Sequence, residues 1–416
     1  MKGYLLINFS LFLSFLGKAQ IGTTLSDDIA NTNRNAYVST FLTSQGKKKN
    51  TDLYKLWTGG EIGKSEDIPL LKHVKFKTIK EYEPKVDGYK FLLGVAMVRY
   101  HDQWIVSFGH NKGLENTSTE VANSIFSNNG SKWGDLVTID SAKNQMGVSH
   151  GVFLNYEDKL WAFHGSFLNK LELVHTNAYN YNQRIGKWEY RGIVAADGFW
   201  PLQEPIKMDN GEWIMAGASI IVGPRQAQPA VAISKNDKFN QWEVRRIPSA
   251  IKVWGESTII VDGAKVLLIS RSHNNTPKIE GMSHPLAYVS LSTDYGKTWS
   301  ELKPSNLPMS ASKPYAGILS NGQRYLINSI SEDTGNNRAP LTIAVSRPNE
   351  NSFVKLYRIC DVEKGQKRNH TRFSYPYAVE YEGNLWIVYS KSADRSEPNN
   401  NSAELAIVPI KELKVK

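Results

Sequence analysis

Residues Ser292-Thr-Asp-Tyr-Gly-Lys-Thr-Trp299 constrain the fold more than any other stretch of the chain. An Asp two positions after a Ser caps its own backbone, the Gly supplies a positive φ, and the Trp that follows tucks under the turn. Degenerate copies stand in register at Ser127-Asn-Asn-Gly-Ser-Lys-Trp133, Asn182-Gln-Arg-Ile-Gly-Lys-Trp188 and Ser234-Lys-Asn-Asp-Lys-Phe-Asn-Gln-Trp242. A turn that recurs with its flanking strands means one supersecondary unit repeated along the chain.

The unit shows itself again as a pair of β-rich runs around a tight turn of Asp, Asn or Gly chemistry. Six such hairpins are predicted, at 94–108, 150–163, 204–216, 256–269, 315–327 and 377–389. Their spacing, about 50–60 residues, is that of a four-stranded propeller blade. The third strand of each unit follows a polar loop, as in Pro285-Leu-Ala-Tyr-Val-Ser290. The last unit runs out of chain after Ala403-Glu-Leu-Ala-Ile-Val-Pro-Ile410, so Val74-Lys-Phe-Lys-Thr-Ile79 is expected to supply its fourth strand. The expected fold class is all-β, a six-bladed β-propeller closed by an N-terminal strand, which removes free sheet edges.

One propeller over 20–416 accounts for the chain of 416 residues. Residues Met1 to Ala19 combine an early lysine, a short apolar run and Gly17-Lys18-Ala19, the pattern of a signal peptide cleaved near Ala19. A periplasmic or secreted protein is expected, with no membrane span, since no apolar run reaches the needed length. A single cysteine, Cys360, excludes a disulfide framework. The net charge of +10 is spread along the chain and accompanies no nucleic-acid motif. It therefore points to acidic glycans rather than nucleic acid as partner. Oligomeric state is not legible.

The turns and their repetition resemble the sialidase-like Asp-box superfamily over nearly the whole mature chain. That resemblance implies an active site at one tunnel mouth, where the first strand of each blade begins and the second ends. Carried over by position, strand starts give His150, Glu204, Glu256, Lys313 with Tyr315, and Tyr375 with Tyr377. Strand ends and the loops after them give His110, His164, Arg225, Arg271, His273, Arg338 and Arg395. Sialidases proper open with an Arg-Ile-Pro motif, set three arginines around the substrate carboxylate, and use a Tyr-Glu nucleophile pair with an Asp acid. This chain has Leu93-Gly94 where that arginine is expected, and His150 at the equivalent place in the second hairpin.

Histidines, tyrosines and arginines on a secreted propeller are similar to the sets in propeller uronate lyases and dehydratases. Removing the C5 proton of a uronic acid needs a cation or metal at the carboxylate and a base for the proton. On this reading His150 and His164 transfer protons, Tyr315 and Tyr377 act as acid or second base, and Arg271 with Arg225 hold the carboxylate. His110, His273, Lys313 and Tyr375 line the substrate, and Trp200 and Trp254 floor a sugar subsite. No cofactor is required, although His110, His150 and His164 together can ligate a divalent metal. The expected function is β-elimination on uronate-containing oligosaccharides. The alternative is a sialidase-like exo-glycosidase using Glu204 and Glu256, since paired carboxylates serve hydrolysis. A third reading is a non-catalytic glycan-binding propeller.

Overall fold

A computed structural model describes residues 53–221, 226–392 and 401–415. The expected signal peptide, Arg225 and Arg395 lie outside the described residues. Leu53–Lys416 form one compact unit of six antiparallel sheets, in which neighbours in sequence pair except at the split first strand of the third sheet and the N-terminal strand that closes the sixth.

Blade 1 comprises Phe91–Tyr100, Gln103–Asn111, Val121–Ser127 and Val137–Asp140. Blade 2 comprises Met146–Tyr156, Lys159–Leu168, Glu172–Asn182 and Lys187–Ala195. In blade 3 the first strand is split into Phe199–Pro201 and Ile206–Lys207, followed by Trp213–Ser219, Gln228–Ser234 and Glu243–Arg246. Blade 4 comprises Val253–Asp262, Lys265–Ser272, Leu286–Ser292 and Lys303–Pro308. Blade 5 comprises Tyr315–Ile318, Gln323–Asn328, Leu341–Pro348 and Lys355–Cys360. Blade 6 takes Arg372–Tyr381, Asn384–Ser392 and Ser402–Pro409 from the C-terminal end and Lys75–Lys80 from the N-terminal end. Lys75 pairs with Ile407 and Thr78 with Glu404, the closure expected from the sequence.

The turn at Ser292–Trp299 joins the third and fourth strands of blade 4. Asp294 accepts the Thr298 N–H at 2.9 Å and its hydroxyl at 2.6 Å, while the Gly296 N–H donates to Ser292 Oγ at 2.8 Å. Trp299 Nε1 donates to the Gly296 carbonyl at 2.8 Å, which fixes the indole under the turn. These donors hold the Asp294 carboxyl down at about 2. The degenerate copies occupy the same place in blades 1, 2 and 3, between third and fourth strands.

Inner strands of blades 1 and 2 are buried nearly throughout because both of their faces meet neighbouring blades. Blades 1 and 6 meet through Trp104 stacked on Trp386, ring centroids 4.3 Å apart. Before the closing strand, the chain from Tyr54 to Leu70 bridges to Ser305, Phe353 and Arg358 beside blades 4 and 5. Asn306 Oδ1 accepts the N–H groups of Leu56 and Trp57 at 3.0 Å each, so this stretch covers part of the outer edge.

Candidate active site

Near the first residues of the inner strands lies a cavity of about 390 Å³ to which all six blades contribute. Three inner strands break their ladder where a lining residue stands. Register shifts fall between Val148 and Gly151, between Val253 and Ser257, and between Ser374 and Tyr377. A bulge turns its extra residue out of the pleat, and here those residues include His150, Glu256 and Tyr375. A fourth shift, between Leu93 and Ala96, contains Gly94. Tyr375 has φ of 57°, the left-handed region that an aromatic residue rarely occupies, so packing imposes this orientation.

One wall of the cavity is ionic. The Tyr375 hydroxyl donates to Glu256 Oε1, and Arg271 Nη1 donates to Glu256 Oε2. Arg338 joins them from the loop after the second strand of blade 5, its guanidinium 5.8 Å from the centre of the Tyr375 ring. It donates to Ser374 Oγ at 3.1 Å and to the Ala311 carbonyl at 3.3 Å. A parallel bridge between Arg338 and Arg372, with the Phe373 N–H on the Arg338 carbonyl at 2.9 Å, brings the two arginines to the same wall. Burial, with Arg271 and Arg372 nearby, pushes the Arg338 guanidinium down to about 10. Burial and the Glu256 charge push the Tyr375 phenol well above its usual range. Glu115, half-buried in the loop after the second strand of blade 1, completes the wall. Burial raises its carboxyl above the usual range, with Glu256 adding to the rise and the three arginines opposing it.

The other wall is apolar: Leu171, Trp200, Leu202, Ala218, Ile220 and Ala227. His150 stands between the walls, 8% exposed, its ring 4.9 Å from Trp200 and 5.7 Å from Tyr375. A Cβ on Gly94 would lie 2.1 Å from His150 Cγ, so the imidazole occupies the space that a side chain at 94 would take. Burial, together with Lys313 and His164, lowers His150 to about 3, which keeps the ring neutral.

Of the residues expected at the mouth, His150, Trp200, Trp254, Glu256, Arg271 and Tyr375 line this cavity. Arg338 also lines it. His273 stacks against Trp254, ring centroids 4.8 Å apart, without joining the lining. The others lie elsewhere, for identifiable reasons. Glu204 is no strand start: blade 3 begins at Phe199, and Glu204 falls in the break where Leu202 and Gln203 both donate to the Ala216 carbonyl. Tyr377 lies two residues beyond the bulge, and Tyr315 begins a strand of only four residues. Tyr315 donates to Glu204 at 2.7 and 2.8 Å, and Glu204 and Tyr377 line a separate cavity of about 480 Å³. Lys313, bonded to the Pro376 carbonyl at 3.0 Å, feels the charges of both Glu256 and Glu204; burial lowers it to about 8.

His164 precedes the end of its strand by four residues and is fully buried, its Nδ1 2.7 Å from the Ser149 carbonyl. His110 stacks on Tyr89 with centroids 3.6 Å apart and bonds Asn123. Of histidines 110, 150 and 164, His150 alone lines the cavity. Among the described residues no group of three or more His, Cys, Asp or Glu is disposed to hold a metal. Glu115 and Arg372 escaped the sequence reading. Glu115 sits in an aperiodic loop five residues past His110, and Arg372 opens the inner strand of blade 6 three residues before Tyr375. Starting each inner strand several residues earlier would have found Arg372.

Fold and site together define a propeller of the sialidase-like class. The family model described as a BNR repeat-like domain matches residues 108–387, more than half of the chain, and the protein belongs to that family. Among solved structures, a protein of unknown function from Dyadobacter fermentans is similar at TM-score 0.58 and 14% identity, covering 82% of this chain and 100% of that one. The NanB sialidase from Streptococcus pneumoniae is similar at TM-score 0.59 and 10% identity, covering 78% and 69%. The Trypanosoma rangeli sialidase in complex with sialic acid is similar at TM-score 0.55 and 13% identity, covering 83% of this chain and 60% of that sialidase. No curated protein sequence matches. Among the described residues no helix is long and apolar enough to cross a membrane.

Proposed function

We propose that the protein is a sialidase-like exo-glycosidase that removes a terminal sugar carrying a carboxylate beside its anomeric carbon. The observation that carries this reading is the Tyr375–Glu256 hydrogen bond on the wall that also holds Arg271, Arg338 and Arg372. Three guanidinium groups, Arg271 buried and Arg338 and Arg372 half-buried, crowd one wall, and a bound carboxylate would offset the burial and repulsion that lower Arg338. Sialic acid, the ligand named with the trypanosomal structure, has this chemistry.

In the proposed reaction the Tyr375 oxygen attacks the anomeric carbon as its proton passes to Glu256. Glu115, whose carboxyl burial shifts toward its protonated form, gives its proton to the departing glycosidic oxygen as that bond breaks. Water then attacks the anomeric carbon, Glu115 takes the water proton, and the tyrosyl oxygen leaves with the proton returned by Glu256. The cavity, at the small end of the range for ligand pockets, suits a single terminal unit. An extracellular or periplasmic address, as the N-terminal segment suggests, would put the enzyme where such glycans are met.

The elimination chemistry first expected asks for a basic group at the sugar ring. His150, lowered to about 3, is a weak one, and Tyr315, the acid or second base of that reading, lies away from this cavity; of the carboxylates expected for hydrolysis, Glu204 lies away with it and Glu256 lines the cavity. Those observations favour hydrolysis. The test is release of free sugar from an aryl glycoside of sialic acid, followed by mass spectrometry of the protein after reaction with a fluorinated analogue. An adduct on Tyr375 supports the reading. Formation of an unsaturated sugar with no adduct would overturn it.

A further inference from the structure

Beneath the loop that carries Glu115 lies a second carboxyl that the proposed reaction does not use. Glu120 is fully buried and ends that loop. One of its oxygens, Oε1, accepts the backbone N–H of Asn116, the residue after Glu115. Its own carbonyl accepts the Val148 N–H at 3.1 Å, which ties the loop to the inner strand of blade 2 two residues before His150. Oε2 is buried without a hydrogen bond of good geometry, with the Ser149 hydroxyl as its polar neighbour.

The rest of the loop is braced from the other side. Asn111 Nδ2 donates to the Leu114 carbonyl and to Thr117 Oγ1, both at 2.8 Å, and Thr119 Oγ1 donates to Asn111 Oδ1 at 3.1 Å. A Cβ at Gly147 would meet the Thr117 carbonyl at 2.8 Å, so the loop also rests directly on blade 2. Within this frame the bond to the Leu114 carbonyl and the bond from the Asn116 N–H to Glu120 hold the backbone on either side of Glu115.

We infer that Glu120 is a positioning residue that aims Glu115 at the departing oxygen by anchoring the backbone beside it. The inference rests on Glu115 acting as the acid. Glu120 touches neither substrate nor reacting atoms; it acts through Asn116. The groups facing it are Glu115, Ser149, Asn116 and Thr117. Burial raises Glu120 to about 8, so near neutral pH it is held uncharged and adds no second negative charge under Glu115.

The experiment compares two leaving groups on the same sialoside: nitrophenolate, which departs without protonation, and an alkyl alcohol, which needs an acid. Glu120→Ala is expected to lose about 10²-fold in kcat/KM, which reports the step that expels the leaving group, with the alkyl substrate and under about tenfold with the nitrophenyl one. Because the two rates come from one preparation, their ratio is independent of how much variant folds. Glu115→Gln should show the same signature, and Glu120→Gln, which keeps an acceptor oxygen for Asn116, should recover most of the alkyl rate. If Glu115→Gln shows the signature and Glu120→Ala slows both substrates equally or neither, the positioning role is overturned while the acid assignment stands. If Glu115→Gln also lacks it, the acid assignment fails, and the positioning role with it.

Discussion

The hydroxyl of Tyr375 donates to Oε1 of Glu256, joining blades 6 and 4 across 119 positions of sequence. The pair couples a phenol, which must lose a proton to become a nucleophile, to a carboxylate able to take it. Tyr375→Phe removes the attacking oxygen and keeps the ring that packs against His150 and Arg338. A loss of at least about 10³-fold in kcat is expected with Tm nearly unchanged. Sialoside hydrolysis at saturating substrate checks it, and a variant within tenfold of wild type would remove Tyr375 from the chemistry.

Arg271 and Arg338 are expected to separate in their effects. Arg271 is bonded to Glu256, both largely buried at 7% and 17% side-chain exposure, so Arg271→Ala leaves a buried carboxylate without its partner. That change should cost about 3–5 kcal/mol of stability. Arg338 donates to the neutral oxygens of Ser374 and Ala311, so Arg338→Ala should leave Tm closer to wild type and raise KM more than about tenfold. Thermal denaturation beside steady-state kinetics tests the contrast; equal losses of Tm would contradict it.

Gly94 is constrained twice, by φ of 69° and by the His150 ring over its α-carbon. Gly94→Ala should destabilise by about 1–3 kcal/mol. In a Gly94→Ala/His150→Ala double variant the steric part should be recovered and the backbone part should remain. Purely additive losses in a double-mutant cycle would show that the ring is not the obstacle.

Stability should peak near pH 6.5. Burial lowers His110 and His150 to about 3 and His164 to about 4, from 6.5. The unfolded chain therefore binds more protons below 6.5, and the stability these rings contribute is present above that pH and lost as pH falls. Glu120 has the opposite sign: raised from 4.5 to about 8, its contribution is fully present below 4.5 and lost as pH rises to 8. Tm should rise steeply from pH 5 to 6.5 and decline gently to 8, by at most about 1.4 kcal/mol per pH unit on the alkaline side. Glu120→Gln should flatten that alkaline decline and steepen the rise from pH 5 to 6.5, because the Glu120 loss runs through the whole window from 4.5 to 8. A wild-type Tm that climbs through pH 8 would refute the assignment.

The propeller was legible because alternation, Asn-Gly and Asp-Gly turns, and the Ser292–Trp299 motif all report local geometry. Even the closing strand, Lys75–Lys80, followed from counting strands in the last repeat. Depth along the tunnel was not legible. Bulges at His150, Glu256 and Tyr375 leave the apolar pattern intact while re-aiming one side chain each. Glu204 and Tyr377 were therefore grouped with Glu256, although the break in blade 3 and the five residues of strand preceding Tyr377 carry them to another cavity. Glu115 belongs to a loop whose shape comes from side-chain hydrogen bonds, which have no period to read.

Thr78 and Glu404, which share a 3.0 Å hydrogen bond in the last blade, are 326 positions apart. At ordinary rates of translation, roughly 15–65 s separate their emergence from the ribosome. Throughout that interval the earliest strand has been made and its partner has not, and the sixth sheet cannot gain its fourth member until Ser402–Pro409 has been made. Tyr375 is made about thirty residues before that partner strand is complete. The wall that carries Tyr375 and the closed ring are thus completed almost together, and a chain halted before Ser402 would have strands for five complete sheets and an open sixth.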